Sequence, residues 1–172
     1  MILRRVVTGA VAIMLGACSS IDQFDVPLST KGVVPGTLSM LSGGFASIPA
    51  GTSVSQKIQN AGVTANDITS ARLTTGSITV TAPADGHLLY VESLELFVSA
   101  PGLEEKRVAH QDTAFAEKKT TYELLIDDVE LKPYVAAPEM TLRPDLKLKS
   151  RPSMDLELRL DLNLHVDLSI ID

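Results

Sequence analysis

The chain has 172 residues, 45% of them hydrophobic and 21% charged, with a formal net charge of −6 and a single cysteine. That length suits one domain with a short tail. One cysteine excludes an intrachain disulfide and a zinc-ribbon or iron–sulfur site; the acidic balance argues against nucleic acid as a partner, and the apolar content is too high for a disordered chain.

The amino terminus carries two cations, Arg4 and Arg5, followed by an uncharged, mostly apolar run over residues 6–15. Small residues follow, Gly16 and Ala17, and then Cys18. A basic start, a short apolar stretch and small residues at a cut describe a secretory signal. A run of about ten residues is too short to span a bilayer, which needs about 20. Leu15-Gly16-Ala17-Cys18 resembles the lipobox of bacterial lipoproteins. The resemblance implies cleavage before Cys18, a diacylglyceryl group on its thiol and an acylated new amino terminus. Ser19 stands where an aspartate would mark inner-membrane retention, so the resemblance implies the outer membrane. A plain signal peptide with an incidental cysteine is the simpler alternative. Cleavage lowers Lys+Arg from 15 to 13 against 21 acids, so the mature chain carries −8. The expected organisation is a signal peptide at 1–17, a lipidated tether at 18–23 and a β-sandwich at 24–172.

Residues 24–38 alternate weakly and contain Pro27 and Pro35. They predict an irregular edge strand, because proline cannot donate to a central ladder. Residues 39–53 predict a loop by composition, and 53–61 either one or two helical turns ended by Gly62 or an extended segment. From Thr69 the period is two: Ala71 and Leu73 share a face, then Ile78 and Val80 continue with shifted parity. A bulge at Gly76 would restore the phase. Residues 83–86 read as a turn. Leu94, Leu96 and Val98 mark the next strand, with Phe97 falling on the opposite side. Residues 106–112 predict a polar edge strand, Tyr122, Leu124 and Ile126 another strand, and 127–135 a helical turn.

The carboxyl-terminal residues carry the strongest signal. Residues 140–148 alternate around Pro144, which predicts an edge or a bulge there. Residues 150–153 predict a hairpin loop, across which Lys147 and Lys149 would face acids of the following strand. From Met154 to Ile170 every second residue is apolar, mostly leucine. A helix would spread these side chains around its circumference; a strand places them on one face. The expected fold is all-β: one antiparallel, immunoglobulin-like sandwich with a long last strand and one or two helical turns.

The candidate sites are few. His87, His110 and His165 have no metal-ligand spacing and read as surface histidines. Asp127, Asp128 and Glu130 could bind calcium in a sandwich loop, but read more simply as a solvated loop or helix cap. Asp155, Glu157, Asp161 and Asp167 form an acidic stripe on the last strand. No nucleophile elbow is present. No catalytic residue, metal or cofactor is expected.

Residues 68–73, 90–96 and 131–135 give the body a resemblance to uncharacterised small lipoproteins of deltaproteobacteria such as myxobacteria. It implies a secreted β-sandwich and brings no activity. The expectation is therefore a non-enzymatic envelope lipoprotein, held to the membrane by the lipid on Cys18, with a structural or protein-binding sandwich. A carrier of lipid or another apolar ligand is the alternative, and an envelope enzyme or hydrolase accessory the third.

Overall fold

The computed structural model describes residues 22–36, 48–49, 60, 62 and 64–169. Nine strands follow in chain order: β1 (Gln23–Val34), β2 (Ile48–Pro49), β3 (Ile68–Ala82), β4 (Val91–Ser99), β5 (Lys106–Gln111), β6 (Thr121–Glu123), β7 (Leu125–Ile126), β8 (Thr141–Leu148) and β9 (Leu156–Leu168). One helical turn, α1 (Lys132–Val135), and two 3-10 turns at Ala65–Asp67 and Ala114–Ala116 complete the described elements. The strands form two antiparallel sheets, β1-β9-β3-β6 and β2-β8-β4-β5-β7, packed on one shared core. The all-β sandwich is as the alternation requires.

Strand order sharpens that class. β6 and β7 are one segment that changes sheets, so the remaining order is first–last–third–sixth over second–eighth–fourth–fifth. This is jelly-roll connectivity, eight strands in two Greek keys. It differs from the ABED and CFG sheets of an immunoglobulin domain. Here the last strand lies inside a sheet, between the first and the third.

β9 organises the molecule. Its burial alternates without a break, and Leu158, Leu160, Leu164 and Val166 are fully enclosed. At about 3.3 Å per residue it runs roughly 43 Å. It pairs with β1 from Gln23↔Asp167 to Val34↔Leu156, and with β3 from Ile68↔Leu168 to Ala82↔Glu157. Two partners along its length satisfy its backbone groups on both sides. β1, with Pro27, is an edge strand of this sheet, as expected.

Residues 68–82 oppose residues 157–168, so β3 holds three more residues than its partner. One is absorbed at each of three register shifts, between Ile68 and Ser70, Leu73 and Thr75, and Val80 and Ala82. The parity change expected at Gly76 therefore occurs just before it. Gly76 itself points inward, where a Cβ would lie 3.0 Å from Leu162 Cδ2 and 3.3 Å from Leu124 Cδ1. Its lack of a side chain serves packing between the sheets.

Further expectations are corrected. Residues 150–153 do not close a hairpin, because β8 and β9 belong to different sheets. Lys147 consequently bonds Glu92 on β4, at 2.7 Å, and not the acids of β9. β5 is not an edge strand, since β7 covers Ala109 and His110. Tyr122 and Ile126 belong to different sheets, because the chain crosses over at Leu124. Leu124 is buried there and Leu125 is 52% exposed. The expected loop at 39–53 contains the short strand β2. Its other residues, and the helical turns expected at 53–61 apart from Asn60, lie outside the described residues. Pro144 pairs opposite Leu96 without a register shift, and β2 reaches β8 only at Thr141 and Leu142.

Candidate functional site

The register places Asp25, His165 and Arg72 side by side across β1, β9 and β3. His165 Nδ1 lies 2.8 Å from Asp25 Oδ1, and its Nε2 3.2 Å from Asp167 Oδ1. Ser70 donates its hydroxyl to the other oxygen of Asp167. Arg72 donates to Asp128 Oδ1 at 2.6 Å and lies 3.8 Å from Glu130. The hydrogen bond to Asp25 raises the His165 pKa above its ordinary value, against a smaller opposing effect of burial, with the charges of both carboxylates adding to the rise.

Each ring nitrogen thus faces a carboxylate oxygen, an arrangement that favours the protonated ring, in which both nitrogens can donate. A general base needs one ring nitrogen free to accept, and a nucleophilic serine must bond the base. Ser70 bonds a carboxylate instead. The cluster therefore ties three strands together through charge rather than assembling a serine–histidine–aspartate site.

A second network covers the outside of the other sheet. Arg107 bridges Glu95 at 3.0 Å and Asp127 at 2.9 Å, and His110 Nδ1 lies 3.1 Å from Asp127. Arg143 grips both oxygens of Glu105, at 3.1 and 2.9 Å, and its guanidinium lies 4.9 Å from the centroid of the Phe97 ring. Phe97, the odd aromatic of its strand, is thus half-buried beneath a cation. The bond to Glu105 is the leading cause of a raised Arg143 pKa.

The expected acidic loop divides between these networks. Asp127 turns to Arg107, and Asp128 to Arg72. Glu130 accepts the backbone N–H groups of Ala71 and Lys132, each at 2.8 Å, and so caps the start of α1. The carboxylates diverge, and a calcium loop needs them to converge. Among the described residues no group of three metal-ligating side chains is placed to hold an ion.

The two ends of the sandwich differ. At one end the chain enters β1. There Leu168 N–H donates to Asp22 O at 2.8 Å and Ser169 N–H to Asp67 O at 2.7 Å. At the other end the loops 83–90, 117–120 and 149–155 surround a shallow pocket of about 80 Å³. Asp85, His87, Tyr90, Lys118 and Ser153 line it. The rings of His87 and Tyr90 stack with centroids 5.1 Å apart at 19°. A flatter groove of about 140 Å³ lies beside it, along Lys31, Val33 and Glu157. This pocket is not among the sites expected from the sequence. Its one local signal is a His-x-x-Tyr spacing after the 83–86 turn; Lys118 and Ser153 join only through the fold.

Leu15, Gly16, Ala17 and Cys18, the residues of the expected lipidation site, lie outside the described residues. No helix among the described residues is long and apolar enough to cross a membrane.

No family model and no curated protein matches the chain. Among solved structures it is similar to a chain in the structure of Triatoma virus, with a TM-score of 0.50 and 13% identity, over 100% of this chain and 80% of that one. The likeness is one of fold, a β-sandwich.

Proposed function

We propose that this is a lipid-anchored protein of the bacterial cell envelope, non-enzymatic, whose sandwich serves a structural or protein-binding role. The observation that carries the reading is Leu15-Gly16-Ala17-Cys18 behind a basic, then apolar, amino terminus. Cys18 precedes Asp22 by four residues, a reach of at most about 14 Å. A lipid on Cys18 would therefore keep the β1-entry end close to the bilayer and turn the pocket-bearing end away. Ser19 favours the outer membrane. Two or three acyl chains, at about 0.8 kcal/mol per buried CH₂, give durable attachment. The carrier reading asks for a leucine-lined groove, whereas the β9 leucines fill the core between the sheets.

The test is Cys18→Ser in a bacterial host with a lipoprotein pathway. Labelled palmitate enters the parent protein and not the variant, and the variant leaves the membrane fraction. A variant that still partitions with membranes would overturn the anchor.

A further inference from the structure

We infer that the pocket at the end of the sandwich opposite β1 entry binds a neutral sugar ring. This does not rest on the lipid anchor.

Aromatic surface comes first. The turn at 83–86 delivers His87 and Tyr90 as a stacked pair, and both side chains remain partly exposed. A pyranose has an apolar C–H face that suits such a surface, while its hydroxyls need partners at the rim. The rim supplies both kinds. Asp85 offers acceptors and Lys118 donors, and neither side chain has a partner among the described residues. Tyr90 OH and Ser153 Oγ lie 3.3 Å apart, and each can donate or accept. His87 turns Nδ1 to the Leu89 amide at 3.4 Å, which leaves Nε2 for a ligand.

Charge selects the ligand class. Lys118 alone would favour a phosphate or carboxylate. Asp85 in the same pocket cancels that preference, and a neutral polyol can use both groups at once. Size selects the mode. About 80 Å³ is well below the roughly 300–1,000 Å³ of a pocket that engulfs its ligand. One ring edge enters and the rest stays in solvent, as at the end of a glycan chain. Gly86 lets the turn below the pocket close: a Cβ there would lie 2.5 Å from Val80 Cγ1 and 2.8 Å from the Pro83 carbonyl oxygen.

The test is saturation-transfer NMR on the full-length protein in a sugar-free detergent. The probes are the methyl pyranosides of glucose, galactose, mannose and N-acetylglucosamine, with inorganic phosphate as the anionic comparison. At least one pyranoside is expected to bind in the millimolar range or tighter, and phosphate not to bind. Asp85→Ala and Lys118→Ala, both at exposed positions, are each expected to weaken binding about tenfold, the equivalent of one good polar contact. Saturation of no pyranoside, parent-like binding by both variants, or binding of phosphate in place of sugar would each overturn the inference. Loss of lipidation would leave these readouts unchanged, so the two proposals fail separately.

Discussion

The Tyr122 hydroxyl accepts the backbone N–H of Leu88 at 3.2 Å, across 34 residues of sequence. It also accepts from Lys119 N–H at 3.0 Å and donates to Glu117 O at 2.9 Å. One buried phenol thus joins two of the loops around the pocket to the core, where its ring lies 5.1 Å from that of Phe115. Tyr122→Phe keeps the ring and removes every one of these bonds. Leaving buried amides unpaired costs about 1–3 kcal/mol, so a loss of that size is expected in urea denaturation. An unchanged midpoint would show that water serves those groups equally well.

His165 makes stability depend on pH. Its folded-state pKa is raised, chiefly by the bond to Asp25. Its stabilising contribution is therefore whole below the unfolded-state value of about 6.5 and is lost as pH rises through the higher folded value. The nearby cation Arg72, opposite it on β3, is itself bonded to Asp128 and does not reverse this sign. The melting-temperature gap between the parent and His165→Ala should be wider at about pH 5.5 than at about pH 8.5. Equal gaps would show that the ring is not held as a cation.

Gly76 tests the inter-sheet fit. A branched side chain there would meet Leu162, Leu124 and Ile126, the last at 3.4 Å from the first added carbon. Overpacking of this kind costs about 1–3 kcal/mol. Gly76→Val should lose that much in thermal unfolding, despite the better strand propensity of valine. A stabilised variant would place the spare room where the packing shows none.

Adjacent positions of β9 should behave oppositely. Leu160 is fully enclosed, between Thr30 and Ile78 in the ladder. Arg159 faces out and pairs with Asp161 at 2.7 Å. Leu160→Ala should cost about 2–5 kcal/mol, and Arg159→Ala no more than about 1. Chemical denaturation of both variants checks this; similar losses would contradict a strand with one buried face.

The alternation of residues 154–170 was enough to assign an extended strand with one apolar face, because side chains on a strand point to opposite sides in turn. Pro27 likewise marked β1 as an edge strand. These are properties of a few neighbouring residues. The sequence also carried the lipobox resemblance, which rests on a contiguous motif. Partner choice is not local. Nothing near residue 150 shows that β9 leaves β8 for the other sheet, nor that the three extra residues of β3 are taken up at three separate shifts. The pocket has the same origin: a stacked pair after one turn meets a lysine and a serine from distant loops. Local backbone geometry shaped the strands, while burial of two apolar faces against each other decided their order and which polar groups met at the surface.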